Sequence, residues 1–397
     1  MMPGIGLPKE HTANTVTITD SLDLFGLDNR IVILSVIAAF INAYLCAAVA
    51  LLTAVYVFAN REKRRAIGEL PHSRWIFFFS VPLFAVPLVY GNWLGLAASL
   101  VVFVVLIYYL FLSSRMTIGL YNAVIDVSCI ISLIYVMIAL FQRLLGVVAR
   151  SPSTFQNANY YSYALELVMM MSFYRLFTAK DRKHKAFLAV VIAANLMALW
   201  ATDCRSAWPS IFAGLAVLFA MGKRTRSLLA LIAVYVMGIW LALSFPGVFP
   251  RLKSLEYAES IRSDIWMDAL NCIRTHLLMG AGTLGFYNLT GGPYYHSHNV
   301  LLEMLVSYGI TGTFLLLAYF ALTFRDMAKK YTGSPIKQIY ALIFACVAVT
   351  AVHGIGDVTV MWPQTGMLFA LVLSGAGIRT AENRSSLKVL ESLVKTH

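Results

Sequence analysis

Apolar runs long enough to cross a lipid bilayer recur along most of this 397-residue chain. A bilayer offers backbone N–H and C=O groups no water, so a spanning segment must satisfy them within itself, as an α-helix does. About 20 apolar residues suffice for one helical span. Of all residues 59% are hydrophobic and 13% charged, more apolar surface than a soluble chain can hide. The expectation is an all-α, polytopic integral membrane protein. Candidate spans are 31–58, 75–92, 95–112, 117–142, 161–178, 186–202, 206–221, 227–244, 298–324, 338–355 and 361–378. The run 31–58 reads as too short to cross twice, although residues 1–30 have room for a short extra helix, so eleven or twelve transmembrane helices are expected. Three stretches follow: a polar N-terminal segment 1–30, one transmembrane helical domain 31–380 with a large loop 245–297, and a tail 381–397.

Charge sets the orientation. The net charge of +12 is concentrated in basic loops, as expected of the cytoplasmic side of a membrane protein, so it does not call for nucleic acid. Arg61, Lys63, Arg64 and Arg65 form one cluster; Lys180, Arg182, Lys183 and Lys185 a second; Lys223, Arg224 and Arg226 a third. Arg325, Lys329, Lys330 and Lys337 form a fourth, and Arg379, Arg384, Lys388 and Lys395 a fifth. With the spans above all five fall on one side, which the positive-inside rule makes cytoplasmic. The N-terminal segment lies outside with eleven spans and inside with twelve. Five scattered cysteines show no metal or redox spacing.

The opposite face breaks the charge rule. Arg143, Arg150, Arg205, Arg251, Lys253, Arg262 and Arg274 all lie there. A guanidinium is planar, permanently charged and matched to phosphate oxygens, so an arginine cluster on this face suits a lipid-linked phosphate or pyrophosphate; anionic headgroups or pairing with Glu256, Glu259, Asp264 and Asp268 are the plainer alternatives. Arg205 lies between two apolar spans, where the following helix N-terminus adds positive potential, with Asp203 as a local ion-pair partner. Arg262 opens a stretch whose Ile265, Trp266, Ala269 and Leu270 share a helical face, suited to lying flat with Trp266 as an interface anchor.

Titratable groups at the edge of an apolar segment carry a desolvation cost, about 2.5–3.5 kcal/mol at the bilayer centre on insertion scales. His296, His298 and Asn299 precede such a segment, and Gly309 and Gly312 then permit a close backbone approach. Two histidines two apart on a helix diverge and no third ligand is evident, so no metal site is expected. One histidine serves better as a general base for a hydroxyl nucleophile; capping the helix is the bland alternative. Asn299 can orient a neighbouring ring or bind a sugar hydroxyl. Glu303 is placed to bond His298 or to pair within the bundle. Asp357 lies at the same end and can orient His298 or Arg205, or serve as a plain loop residue. Asp126 and Glu166 lie inside or near spans, and their partners are not given by the sequence; an arginine is the plain candidate for each. The glycine-rich stretch 280–285 follows no strand and is no evidence for a nucleotide site.

On these residues the chain resembles the O-antigen ligase family, within the larger group that also holds O-antigen polymerases and protein O-oligosaccharyltransferases. The family pattern H-[N/S/Q]-x9-G-x-x-G is matched by His298, Asn299, Gly309 and Gly312. Arg205 resembles the arginine of a T-R motif, with Cys204 in place of Thr or Ser, and Arg262 with Trp266 resembles R-x-x-x-W. Asp357 and Val358 resemble the start of D-V-x-x-W, although Trp362 lies one residue further on. The likeness covers roughly residues 140–380.

The resemblance implies an inverting glycosyltransferase at the periplasmic face of the bacterial inner membrane. It would move a glycan from undecaprenyl pyrophosphate to a sugar hydroxyl of lipid A-core, with membrane lipids around it and without metal, nucleotide or other cofactor. His298 would be the base, and Arg205 and Arg262 the pyrophosphate-binding catalytic pair. Arg150, His296, Asn299, Asp357 and Trp266 would contact substrate. A polymerase uses the same chemistry on a second lipid-linked repeat. An oligosaccharyltransferase is disfavoured by the short tail after the last span. A transporter is disfavoured because the polar groups collect at one face rather than at mid-membrane.

Overall fold

The computed structural model describes residues 26–245 and 255–378, with side chains in the second stretch from residue 260 onward. The expected site cations Arg251 and Lys253, the acids Glu256 and Glu259, and the fifth basic cluster fall outside these descriptions.

Fifteen α-helices make up the described residues, with no strand among them. They are α1 (Leu27–Ile41), α2 (Ala43–Ala59), α3 (Arg61–Gly68), α4 (Arg74–Val89), α5 (Trp93–Arg115), α6 (Ile118–Leu144), α7 (Ala158–Thr178) and α8 (Arg182–Thr202). Then come α9 (Ala207–Met221), α10 (Thr225–Ser244), α11 (Leu255–Thr275), α12 (Gly285–Thr290), α13 (Val300–Lys330), α14 (Lys337–Gly356) and α15 (Pro363–Leu373). Six of them, α5, α6, α8, α10, α13 and α14, are long and apolar enough to cross a membrane. The chain is an all-α, multi-pass membrane protein. Every expected span from 75–92 onward coincides with a helix, and the loop 245–297 holds α11 and α12.

The first expected span is corrected. Residues 31–58 are not one helix: Asn42 is extended, and its side chain accepts from Leu45 N–H to cap α2. Near the start of α1, Asp28 is buried against Lys63 and accepts from Arg115 at 2.7 Å, both at the basic end of the bundle. Near its finish, Ala39 O accepts from Gln364 and Phe40 O from Thr154, at the opposite end. The segment therefore runs from one end to the other and back. Helices of 15 and 17 residues, rising about 1.5 Å per residue, carry each run some 20–25 Å, less than a full span of about 20 residues. The start of the described chain thus lies with the basic clusters.

One helix is broken. Within α13, Gly309 takes φ 61° and ψ −169°, a region essentially closed to residues with a Cβ. A break would strand backbone groups in an apolar setting, where each costs several kcal/mol. The segment 277–282 satisfies them: Ala281 and Gly282 donate to Val306 O and Ser307 O, while Ile310 and Thr311 donate to Leu277 O and Leu278 O. A Cβ on Gly309 would lie 2.5 Å from backbone atoms of Gly280 and Leu278. Gly309→Ala is therefore expected to lower stability by at least about 3 kcal/mol, strain plus clash. Thermal unfolding in detergent checks this; an unchanged midpoint would refute the close-approach role.

Candidate functional site

The polar end of the bundle gathers α13's N-terminus, the ends of α8 and α14, the starts of α7 and α9, and a face of α11. Asn299 caps α13 by accepting from Leu301 and Leu302 N–H, and its amide donates to Ile355 O at 3.2 Å. Both ends of the side chain are thus engaged in joining α13 to α14. Glu303, fully inside the bundle, accepts from Ser297 N–H at 2.9 Å and from the Ser307 hydroxyl. It fixes the turn that carries both histidines, rather than bonding His298 itself.

That turn corrects the geometry expected of the histidines. They lie ahead of the helix, and His298 adopts φ 52°, left-handed for a residue with a Cβ, a strain that clusters at working sites. The rings therefore converge, with centroids 4.4 Å apart. His298 Nδ1 meets Asp357 Oδ1 at 3.2 Å, and the His298 side chain stays 29% exposed while that of Asp357 is 3% exposed. The histidine is thus open to solvent where the acid is not.

Asp357 anchors a chain of oriented groups. Its Oδ2 accepts from Asn159 Nδ2 at 2.6 Å, and its Oδ1 also accepts from Val358 N–H. Asn159 Oδ1 in turn accepts from the Arg150 guanidinium, whose Nε donates to Thr202 O at 3.1 Å. Burial alone would push the Asp357 carboxyl up. The His298 bond and charge and the Asn159 bond outweigh burial and hold it well below the usual carboxylate range. With Asp357 ionised, the hydrogen bond between them puts a proton on His298 Nδ1 and leaves Nε2 as the ring nitrogen not engaged by the acid. Burial and the neighbouring His298 push His296 down to about 4, so it is neutral at physiological pH. Its Nδ1 accepts from His298 N–H.

Arg205 and Ser206 form the turn into α9, and Arg262 projects from α11. A Cβ on Gly356 would lie 3.7 Å from both Arg262 Nη2 and Ser206 Cβ, so α11, the Arg205 turn and the residue before Asp357 meet at one point. Trp266 does not lie free on a membrane surface. It packs with Ile265, Ala269, Cys272, Phe286 and Val306, so the apolar face of α11 is turned onto α13, and Leu270 is left exposed. Arg143 stacks over Trp200, and Arg274 is near Asn271; neither joins the cluster. Asp126 takes the plain candidate, an arginine, pairing with Arg175 through two bonds, whereas Glu166 pairs with His353.

His296, His298 and Asp357 each present a ligand atom, all within 4.8 Å of one another. The third ligand not evident from sequence spacing is thus supplied by the fold, and the expected lack of a metal becomes a question for experiment.

Residues 187–317 match the family model described as O-Antigen ligase. This stretch belongs to the O-antigen ligase family. No curated protein matches the chain. The family stretch contains Arg205, Arg262, His298 and the two motif glycines, and the fold adds Asn159, Arg150 and Asp357 from outside it. The match covers about a third of the chain and supports a likeness to the O-antigen ligase/polymerase group.

Proposed function

We propose that the chain is an O-antigen ligase. It transfers a glycan from undecaprenyl pyrophosphate to a sugar hydroxyl of lipid A-core, at the periplasmic face of the inner membrane. The observation that carries this reading is the accessible His298 held by buried, ionised Asp357 beside Arg262 and the Arg205 turn. His298 Nε2 takes the proton of the acceptor hydroxyl. The oxygen attacks the anomeric carbon from the face opposite the leaving group, and the C–O bond to the pyrophosphate breaks with its electron pair, inverting the centre. Arg205 and Arg262 stabilise the departing charge. Arg150 acts at the rear of the relay, holding Asn159 and through it Asp357.

The convergence of His296, His298 and Asp357 supports a second reading, with a metal ion at this spot. The metal-free reading is favoured because the facing atoms already have partners: both Asp357 oxygens are bonded and His296 Nδ1 holds a backbone N–H.

The test is transfer by purified protein with a lipid-linked glycan, offering lipid A-core or a second lipid-linked glycan as acceptor. Glycan on lipid A-core is expected; extension of the lipid-linked chain alone would make it a polymerase. Turnover should survive EDTA. Loss with recovery on added Mg²⁺, Mn²⁺ or Zn²⁺ would establish the metal reading. Arg205→Lys and Arg262→Lys are each expected to cut turnover at least tenfold, because lysine keeps the charge and loses the two-pronged geometry. Parental rates in both would reduce these residues to general interface charge.

A further inference from the structure

The buried pair of Glu166 and His353 plays no part in the chemistry above. Both side chains are fully shielded, in α7 and α14. Two such groups inside an apolar bundle are costly unless paired, and they mark function more often than packing. His353 Nδ1 lies 2.8 Å from Glu166 Oε1 and 3.1 Å from Oε2. Its other nitrogen, Nε2, lies 3.4 Å from the hydroxyl of Ser206. With Nδ1–H donating to a Glu166 carboxyl oxygen, Nε2 accepts from the Ser206 O–H. The Cys204 thiol lies 3.3 Å from the same hydroxyl. One imidazole thus ties three mutually packed helices, α7, α9 and α14.

Its position makes this more than a structural bond. Ser206 is the residue after Arg205. His353 carries the carbonyl that accepts Asp357 N–H at 3.2 Å. Gly356, between His353 and Asp357, is where Ser206 and the Arg262 guanidinium meet. A shift of His353 would therefore move the Arg205 turn relative to both Arg262 and Asp357. The geometry points to Glu166, His353 and Ser206 as positioning residues that set the arginine pair to the spacing of a pyrophosphate. Donor binding then depends on them, while the acceptor, activated by His298, does not. This rests on the transferase reading above.

The experiment measures donor and acceptor KM separately for Ser206→Ala, Glu166→Ala and Glu166→Gln, beside His298→Ala as a control. Ser206→Ala removes only one hydroxyl and keeps the helix start. It is expected to raise donor KM about five- to tenfold, the worth of one hydrogen bond, with acceptor KM within twofold. Glu166→Ala should do the same or more. Glu166→Gln, whose amide oxygen still accepts from Nδ1, should recover most donor affinity. If Glu166→Ala fails to fold, Ser206→Ala decides alone. Unchanged donor KM in folded Ser206→Ala, with His298→Ala inactive, would overturn the proposal and leave the transferase reading standing. Equal losses toward donor and acceptor would also overturn it. Full turnover by His298→Ala would instead refute the transferase reading itself.

Discussion

His298→Ala is expected to abolish glycan transfer while leaving the protein inserted and folded. General-base catalysis is worth about 10²–10⁴-fold, and the base here has no substitute within reach. Among the described residues His296 is the one other imidazole beside it, but its Nδ1 is occupied by a backbone N–H and burial makes it a poor proton acceptor. Asp357 is ionised but shielded from solvent. The His298 side chain is partly exposed and its polar partner is Asp357, so its loss leaves no cavity in a packed core. Its left-handed backbone is no easier for alanine than for histidine, so the strain is unchanged by the substitution. Steady-state transfer by purified protein, with thermal unfolding as the folding control, checks both halves of the statement. Near-parental turnover would remove His298 from the base role.

The expectations that held are those written locally in the chain. Hydropathy marks helices such as α5, α6 and α14 because each must bury its own backbone in lipid. The spacing from His298 to Gly309 and Gly312 marks one helix start and one helix break. What was missed is written across distance. The turn at Asn42 interrupts an apolar run without Gly or Pro, so only its capping amide signals it. Asn159 and Asp357 lie 198 positions apart, and Glu166 and His353 187 apart; no local pattern joins them. The available signal was the cost of each ionisable group in an apolar span, which demands a partner without naming it. The pairing of the histidines was misjudged for a related reason. The turn before a helix does not follow helical spacing, and a left-handed His298 cannot be read from neighbouring residue types.

Asp357→Asn is expected to cost transfer about as much as loss of the base itself, although it removes no atom from the site. The acid accepts from three donors: His298 Nδ1, Asn159 Nδ2 and Val358 N–H. An asparagine has one acceptor oxygen and one NH2 group. If the oxygen faces His298, the NH2 confronts the NH2 of Asn159, whose own orientation is fixed because its oxygen accepts from Arg150. If the NH2 faces His298 instead, Nδ1 must become the acceptor. The ring proton then moves to Nε2, the atom that has to receive a proton from the acceptor sugar. Either arrangement removes the negative charge that stabilises the protonated imidazole. An acid-to-amide change behind a catalytic histidine reduces turnover by about 10⁴-fold in the serine proteases, through the wrong tautomer; a loss of about 10²–10⁴-fold is expected here, mainly in kcat. Asn159→Asp, placed beside Asp357→Asn, restores an acceptor opposite the new NH2 and returns one negative charge to the relay. It should recover part of the lost rate. Full activity in Asp357→Asn alone would show that His298 needs no oriented carboxylate, and the relay from Arg150 to His298 would lose its mechanistic meaning.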